Sequence, residues 1–214
     1  MNVFNKPEIA DVYDDYYQTS TGKKVNKIEE RLIGDALSQI SNDKMLELGC
    51  GTGHWTSFFL NQGFEIVATD ISEAMLKIAR QKNLHTEILK ANAENLPFEK
   101  NSFPIVSSIT MLEFVNNRNK VLQEMYRVLK PNGWLLLGCL NGNSQLAKNA
   151  VHDPVFKNAS FLTPDVLNNN LTKFGTPKIT SGVYFSSTFE LLDGTPEQDN
   201  WEPAFLAGLV QKRK

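Results

Sequence analysis

The feature that most constrains the fold is the regular alternation of short apolar runs with helical patterns from residue 44 onward. Five runs rich in strand-forming residues share this rhythm: KMLELG (44–49), FEIVATD (64–70), HTEILKA (85–91), FPIVSSI (103–109) and WLLLGCL (134–140). Short apolar runs separated by helices are typical of a parallel sheet covered on both faces. The sequence therefore predicts a doubly wound α/β fold.

Two of the intervening segments carry clear helix signals. SEAMLKIARQKN (72–83) opens with Ser72, a predicted N-cap, and its apolar residues recur at helical spacing. NKVLQEMYRVLKPNG (119–133) has one apolar stripe and stops at KPNG, a helix terminator and turn. These helices are expected to cover the sheet.

The rhythm changes near the C-terminus. After a predicted helix at 163–175 come two strand-like segments, 178–186 and 204–211, with only the polar stretch LDGTPEQDNWEP between them. Two strands without a crossover helix pair as an antiparallel hairpin, here at the sheet edge. The prediction is a mostly parallel seven-stranded sheet with an antiparallel C-terminal strand.

The N-terminal region differs from the rest of the chain. EIADVYDDYYQT and KVNKIEERLIGDALSQI (24–40) are both interpreted as helices packed over the sheet. No linker, repeat or low-complexity segment is found. The prediction is a single domain over 1–214, with a helical cap at 1–43 over the site and a Rossmann-like core at 44–214.

Composition excludes several classes of function. The chain has 22 basic and 24 acidic residues, which argues against general nucleic-acid binding. No apolar run approaches the roughly 18 residues of a membrane span, and no secretory signal is recognised, so a cytoplasmic protein is expected. Cys50 and Cys139 show no metal-ligand spacing with the three histidines, so no metal is predicted. The closing QKRK (211–214) is interpreted as a solvated tail.

The stretch LELGCGTGHWT (46–56) places Gly49, Gly51 and Gly53 directly after a predicted strand. Three glycines indicate a backbone that bends sharply and lets a ligand approach closely. A dinucleotide site requires a third glycine where His54 stands, and no phosphate-loop Lys follows. A nicotinamide dehydrogenase is therefore disfavoured.

Asp70 ends the second predicted strand, 19 residues after Gly51. An acid at this place can accept hydrogen bonds from both ribose hydroxyls, and Ile71 can lie against an adenine face. For Asp70 alone the alternative is an acid at a helix N-terminus. Together with the glycines it favours a nucleoside site.

Nearly the whole chain resembles the class I S-adenosylmethionine-dependent methyltransferases, in particular the small prokaryotic methyltransferase-11-like domains. The resemblance rests on MLELGCGTGHW, VATDISEAML, ANAENLPFEKNSF and MLEFVNNRNKVLQEMYRVLKPNGWLLLG, with further similarity in ADVYDDYYQTSTG and NASFLTPDVLNNNLTKFG. Two positions depart from the family pattern. Asn92 and Pro104 stand where the family usually has Asp.

The resemblance implies S-adenosylmethionine as cofactor and S-adenosylhomocysteine as product. Glu47 would reach the cofactor's ammonium through water, Asp70 would hold the ribose diol, and Asn92 would meet the adenine amino group. The complete predicted cofactor set is Tyr13, Glu47, Gly49, Cys50, Gly51, Gly53, Asp70, Ile71, Met75, Asn92, Ala93, Glu94 and Thr110.

The resemblance leaves the catalytic group and the methyl acceptor unassigned. The candidates for a catalytic group are His54, Glu113 and Tyr13. Glu113 and Asn141 are expected at the carboxyl rim of the sheet, and His152, Phe156 and Phe161 are candidate walls for the acceptor. The prediction is a methyltransferase acting on a small-molecule acceptor, without membrane association, as a monomer or homodimer. The alternative is a non-catalytic nucleoside-binding regulatory module, favoured only by Asn92 and Pro104.

Overall fold

The computed structural model describes residues 3–194 and 201–213, and its centre is one seven-stranded sheet with helices on both faces. The strands are β1 (Lys44–Leu48), β2 (Glu65–Asp70), β3 (Glu87–Lys90), β4 (Phe103–Ile109), β5 (Leu129–Leu140), β6 (Lys178–Gly182), β7 (Tyr184–Phe185), β8 (Leu191–Leu192) and β9 (Phe205–Gln211).

The helices alternate with the strands through most of the chain. They are α1 (Pro7–Ala10), α2 (Ser20–Leu37), α3 (His54–Asn61), α4 (Glu73–Gln81), α5 (Arg118–Val128), α6 (Gln145–Asn149) and α7 (Pro164–Leu171), with 3-10 turns at Val3–Asn5, Tyr13–Gln18, Ala150–His152 and Phe156–Asn158. None of the helices in the described ranges is both long and apolar enough to cross a bilayer.

The strand order is β3-β2-β1-β4-β5-β9-β6. Strands β1 to β5 pair in parallel, and β9 runs antiparallel to both β5 and β6. The chain first moves outward from β1 to β3 and then returns to the other side of β1 with β4. This reversal opens a crevice at the carboxyl ends of β1 and β4, where ligands of open α/β sheets bind. The predicted fold class and the antiparallel C-terminal strand are confirmed.

The two faces of the sheet each carry an apolar core. On one face, Ile33 of α2 and Phe59 of α3 are fully buried against the sheet. On the other face, Met125 of α5 and Leu171 of α7 are fully buried. The central strand β1 has side chains in both cores, which explains its almost continuous apolar sequence.

The predicted helix signals are confirmed with small shifts in length. The Ser72 hydroxyl accepts a hydrogen bond from Met75 N at 3.2 Å and caps α4. Helix α5 ends at Val128, just before KPNG, but β5 begins at Leu129 and includes that turn. Asn132, with φ of 61°, marks the irregularity inside the strand.

The prediction for the N-terminal segment is only partly right. The stretch expected to be one helix contains the four-residue α1 and a 3-10 turn at Tyr13–Gln18. The Thr19 side chain accepts from Gly22 N and starts α2 as a separate helix. A continuous helix is also opposed by the contacts of Asp14 with the body of the protein, described below.

Two further predictions need correction at the C-terminal end. The segment 178–186 is divided at Val183, whose φ of 63° turns the chain from β6 into β7, and β7 pairs with β8. The closing QKRK is not wholly solvated, because Lys212 is buried and its Nζ donates to Tyr126 O and Leu129 O at 2.7 Å. Tyr126 lies in the last turn of α5, where carbonyls lack partners within the helix, and Leu129 is the residue that follows the helix. Lys214 and part of the polar stretch 192–203 lie outside the described residues.

Candidate functional site

A cavity of about 460 Å³ lies at the carboxyl ends of β1, β2 and β4. This volume falls in the usual range of small-molecule sites, about 300–1,000 Å³. The predicted site residues that line it are Tyr13, Gly49, Cys50, Gly51, His54, Asp70, Ile71, Met75, Asn92, Ala93, Glu94 and Thr110. The fold therefore brings together residues that are as much as 97 positions apart, from Tyr13 to Thr110.

The glycine turn (residues 49–53) connects β1 to α3 and forms the floor of the cavity. Gly49 N and Cys50 N both donate to Thr69 O, at 2.7 and 3.0 Å, which ties the turn to the end of β2. Its three glycines have positive φ values of 75°, 53° and 82°. These conformations favour glycine at all three positions.

The space beside each glycine differs. A Cβ on Gly49 would come within 2.3 Å of the Met111 side chain, and one on Gly53 within 2.8 Å of Leu84. A Cβ on Gly51 would meet no atom within 4 Å. Gly49 and Gly53 are therefore required by protein packing, whereas Gly51 leaves its backbone open to the cavity.

Asp70 faces this open backbone from the end of β2. Its Oδ2 accepts from Gly51 N at 2.9 Å and its Oδ1 from Ser72 N at 2.7 Å. Burial raises the pKa of the carboxyl, and the backbone N–H donors oppose that rise. A carboxylate offers about four acceptor positions, so about two remain for a diol.

Asn92, Ala93 and Glu94 border the cavity after β3. The Asn92 Oδ1 accepts from Glu94 N at 2.9 Å, so this oxygen already stabilises the turn. The Glu94 Oε1 accepts from Asn117 N at 3.0 Å. Asn92 was predicted to meet the adenine amino group, and its oxygen has this second contact within the turn.

Thr110 directly follows β4 and has a positive φ of 49°. Its N–H donates to Gly138 O at 2.7 Å, which holds this conformation. Positive φ is a real outlier for a β-branched residue, and such outliers concentrate at functional sites. The strain therefore lies at the cavity, on a residue predicted to line it.

The cap segment (residues 3–18) covers the mouth of the cavity with Phe4, Tyr13 and Tyr17. Asp14 accepts from Thr52 Oγ1 at 2.7 Å and forms an ion pair with Lys82 at 2.6 Å. Farther along, the Ser72 hydroxyl donates to Phe4 O at 2.6 Å. The cap segment is thereby attached to the glycine turn and to the N-terminus of α4.

Aromatic rings form one side of the cavity. Phe4 packs edge-to-face on Phe114 with ring centroids 4.8 Å apart, and Tyr13 lies 6.1 Å from Phe4. Phe4, Tyr13, Tyr17, Trp55 and Phe114 all line the cavity, and we call them the aromatic wall. No charged side chain belongs to this group.

Three predicted site residues do not line the cavity. Glu47 is 2% exposed beneath the floor, accepts from Thr56 Oγ1 at 2.6 Å, and burial raises its pKa to about 8. Gly53 packs against Leu84. Glu113 is 1% exposed, accepts from Leu140 N at 2.6 Å, and burial raises its pKa to about 7.

The residues expected to contact the acceptor are also displaced. Asn141 is fully buried and donates to Pro203 O at 2.8 Å, so the expectation that it faces the rim is wrong. His152 is exposed outside the cavity lining, and Phe156 lies behind Phe114, 5.8 Å away. Phe161 packs on Phe156 rather than on the cavity. Pro104 lies at the amino end of β4, remote from the site, so it carries no argument about catalysis.

Several lining residues were missed by the sequence analysis. They are Phe4, Asn5, Tyr17, Thr52, Trp55, Thr69, Ala91, Ile109, Met111, Phe114, Val115 and Asn116. Thr52 lies in the glycine turn and Trp55 follows it closely, so the sequence alone could have placed both at the site. Phe4 and Asn5 lie 44 or more positions before that turn, and no local pattern marks them.

Comparisons with known proteins agree with this geometry. The methyltransferase domain family matches residues 46–137, which include the glycine turn, Asp70 and Thr110. MJ1123 of Methanocaldococcus jannaschii, an uncharacterized protein, is 28% identical over 99% of this chain and its own full length. The ubiquinone/menaquinone C-methyltransferase UbiE of Pectobacterium carotovorum is 35% identical over 53% of this chain, and the match spans 49% of UbiE. The chain thus matches about half the length of the curated quinone methyltransferases.

Solved structures share the fold over most of the chain. A SAM-dependent methyltransferase from Thermotoga maritima superposes with a TM-score of 0.72, at 24% identity, covering 97% of this chain and 98% of that one. One from Archaeoglobus fulgidus gives 0.70 at 18% identity, covering 94% and 98%. At these identities the likeness concerns the fold.

The cavity also fits the cofactor that this class of protein uses. Its volume suits a nucleoside ligand, the backbone at Gly51 is uncovered, and the Asp70 carboxylate has acceptor positions to spare. A methyltransferase domain match at the glycine turn, on a sheet of this topology, is what the family requires. Residues 46–137 of this chain thus match the methyltransferase domain family, the fold is that of the class I S-adenosylmethionine-dependent methyltransferases, and the cofactor is S-adenosylmethionine.

Proposed function

We propose that this protein transfers the methyl group of S-adenosylmethionine to a small, partly apolar molecule bound against the aromatic wall. The observation that carries the proposal is the uncovered backbone of Gly51 beside the Asp70 carboxylate, in a cavity that the cap segment covers. The cofactor supplies a methyl group on a sulfonium, which leaves as a thioether when a nucleophile attacks the methyl carbon in line.

The cofactor's nucleoside half is assigned to the sheet side of the cavity. Asp70 would accept from the ribose hydroxyls, Ile71 would lie along the adenine, and Asn92 to Glu94 would border its edge. The methionine half would lie along Gly49 to Gly51. Met75, Cys50 and Thr110 would shape the pocket, and Glu47 would act from beneath the floor by supporting Thr56 rather than by touching the ligand.

The acceptor is assigned to the side formed by the cap segment. Phe4, Tyr13 and Phe114 offer apolar faces there, which suit a planar or apolar molecule. The cap segment limits the room beside the cofactor, and this favours a small molecule over a polymer. The UbiE relatives are named as C-methyltransferases of ubiquinone/menaquinone biosynthesis, and this supports a small-molecule acceptor.

Binding and turnover test the proposal separately. Calorimetry with S-adenosylmethionine, S-adenosylhomocysteine and NAD is expected to show binding of the first two only. Incubation with S-adenosylmethionine and a panel of small acceptors is then expected to release S-adenosylhomocysteine. Binding without turnover across a broad panel would instead favour a regulatory module, and NAD binding would favour a dehydrogenase.

The remaining assignments belong to the same proposal. The protein is taken to act as one methyltransferase domain over 1–214, with residues 1–43 as cap and 44–214 as core. It would work in the cytoplasm as a monomer or homodimer, without general nucleic-acid binding. Gel filtration with light scattering, with and without S-adenosylhomocysteine, tests the oligomeric part.

A further inference from the structure

His54 is the first residue of α3, and its imidazole borders the cavity directly after the glycine turn. The ring stacks on Tyr17 with a centroid distance of 3.7 Å and an interplanar angle of 6°. Trp55 meets it edge-on at 5.7 Å. The imidazole is therefore held in one orientation by two members of the aromatic wall.

A chain of directed hydrogen bonds reaches this ring from α2. The Asn26 Nδ2 donates to Glu30 Oε1 at 2.9 Å, and the Asn26 Oδ1 lies 2.6 Å from His54 Nε2. A carboxylate oxygen has no hydrogen to donate, so Glu30 determines which end of the Asn26 amide carries the NH₂ group. The Asn26 oxygen then faces His54, and an oxygen can only accept.

The direction of these bonds determines the tautomer of His54. Because Asn26 Oδ1 accepts, His54 Nε2 carries the hydrogen, and in a neutral imidazole the other nitrogen, Nδ1, has a lone pair. No hydrogen bond to Nδ1 is found in residues 3–194 and 201–213. Burial lowers the pKa of His54 to about 4, Lys82 adds to the lowering and Asp14 opposes it. The ring is therefore neutral near pH 7.

The other candidate groups for proton transfer do not offer such an acceptor at the cavity. Tyr13 lines the cavity, but burial and Glu29 raise its pKa to about 12, so it keeps its proton. Glu113 lies outside the lining with Leu140 N on one of its oxygens. Asp70 and Glu94 line the cavity but accept backbone N–H groups at its nucleoside side.

We propose that His54, held in its Nε2–H tautomer by Asn26 and Glu30, accepts through Nδ1 the proton of the methyl acceptor, and that this acceptor is a phenolic hydroxyl. The inference rests on the proposed methyltransferase function. His54 is the catalytic residue, and Asn26 and Glu30 are positioning residues. A phenol fits because its ring can pack on the aromatic wall, and because a weakly basic imidazole requires a comparatively acidic hydroxyl.

The step balances without a further reactant. The oxygen of the phenol forms a bond to the methyl carbon, while the carbon–sulfur bond breaks and its electron pair goes to sulfur. The phenol proton passes to Nδ1 of His54. The products are an aryl methyl ether, S-adenosylhomocysteine and an imidazolium, which returns its proton to solvent because of its low pKa.

The first test reads the tautomer of His54 in the full-length protein, without any ligand. Long-range ¹H–¹⁵N spectra of histidine-labelled protein are expected to show His54 with Nε2 protonated and Nδ1 bare. This pattern is expected to persist from about pH 8 to pH 5. A protonated Nδ1 at neutral pH, or a His54 ring that carries a proton on both nitrogens above about pH 5, would overturn the proposal.

The second test adds S-adenosylhomocysteine and then phenol as probes. S-adenosylhomocysteine is expected to change the chemical shift of the Gly51 amide and to leave that of His54 Nδ1 unchanged. Phenol is expected to change the chemical shift of Nδ1. If S-adenosylhomocysteine does not bind, the proposed function fails. If S-adenosylhomocysteine binds but itself changes the chemical shift of Nδ1, or if phenol leaves that shift unchanged, the proposed function survives. The role of His54 in proton transfer would then be wrong.

Variants separate catalysis from positioning. With S-adenosylmethionine and phenol, His54→Gln is expected to lower kcat by about 10²- to 10⁴-fold, the usual contribution of a general base, without weakening S-adenosylhomocysteine binding. Asn26→Ala is expected to give a mixture of His54 tautomers and a partial loss of kcat. Asn61→Ala, a matched change at an exposed position of α3, is expected to alter neither the tautomer of His54 nor kcat. Absence of phenol methylation by the wild-type protein, or equal kcat for the wild type and His54→Gln, would contradict the proposal.

Discussion

The sheet side of the cavity and the cap segment are held in place by different kinds of contact. On the sheet side, backbone groups position the site, since Gly49, Cys50 and Gly51 donate N–H bonds to the end of β2. The cap segment is held by a half-buried ion pair and two side-chain hydrogen bonds. Because the contacts on the sheet side involve the backbone of β2, we expect the cap segment to detach more easily than the glycine turn, with the sheet still folded. We therefore expect the affinity for the cofactor to depend mainly on the sheet side of the cavity. Closure of the site is expected to depend mainly on the cap segment.

The largest effect is expected from filling the open space on the sheet side. Gly51→Val places a side chain where no atom lies within 4 Å, in the space assigned to the cofactor. We expect S-adenosylhomocysteine affinity to fall by more than about 100-fold, or about 3 kcal/mol, in calorimetry.

Gly194→Val provides a matched control. Gly194 also has positive φ, 73°, and no atom within 4 Å of an added Cβ, but it does not line the cavity. Both variants are expected to lose about 1–2 kcal/mol of stability from backbone strain. Equal cofactor binding by the two variants would show that the space beside Gly51 is not used by the ligand.

A smaller loss is expected when the polar contact on the sheet side is removed. Asp70→Ala deletes the acceptor for the ribose and is expected to weaken S-adenosylhomocysteine binding by about 1.5–3 kcal/mol. Glu73→Ala, which removes a nearby acid outside the cavity lining, serves as control. Unchanged affinity in Asp70→Ala would rule out the ribose assignment.

Each of the two regions contains a buried acid, so the pH dependence of the free energy of unfolding can be compared between them. Burial raises the pKa of Glu47, under the sheet side, and of Glu29, beside the tyrosines of the cap segment, to about 8 in each case. Between the ordinary and the raised pKa, each carboxyl keeps its proton in the folded protein, whereas the unfolded chain loses it. The free energy of unfolding therefore falls as the pH rises to about 8.

Urea unfolding between about pH 6.5 and 8 measures this contribution, to which Glu113, with its pKa raised to about 7, adds at the lower end of the window. The lowered pKa of His54 has the opposite effect, but only between about 4 and its ordinary value of 6.5. We expect the free energy of unfolding to fall by about 1–2 kcal/mol per acid across this window, and Glu29→Gln or Glu47→Gln to remove that portion. Stability that rises with pH here would show that these carboxyls are ionised in the folded protein.

The smallest effect is expected from loosening the cap segment. Asp14→Asn removes the charge paired with Lys82, and since both side chains are about one-third exposed, the cost is expected to be about 0.5–1 kcal/mol. Hydrogen exchange of residues 3–18 is expected to accelerate while that of β1 and β2 is unchanged.

Lys82→Gln is expected to reproduce this result, and the double variant to add little, because the two changes remove one interaction. Asp15→Asn, in the same 3-10 turn, is the control. If exchange accelerates equally in the sheet, the cap segment is not a separable unit.

The same contrast explains what the sequence could and could not predict. The glycine turn and Asp70 were predictable because strand ends and positive-φ glycines are local features. The 3-10 turn at Tyr13–Gln18 was not, because distant partners, Thr52 and Lys82, stabilise it against a regular helix. Sequence reasoning placed Glu113 at the rim because it follows β4, yet its side chain turns inward to Leu140 N. Side-chain direction after a strand depends on tertiary contacts that sequence spacing does not reveal.

The most direct test of the central claim is a crystal structure with S-adenosylhomocysteine. The account predicts both ribose hydroxyls within hydrogen-bonding distance of the Asp70 carboxylate and the ligand in van der Waals contact with the Gly51 backbone. A ligand bound elsewhere, or an Asp70 side chain turned away from the sugar, would contradict it.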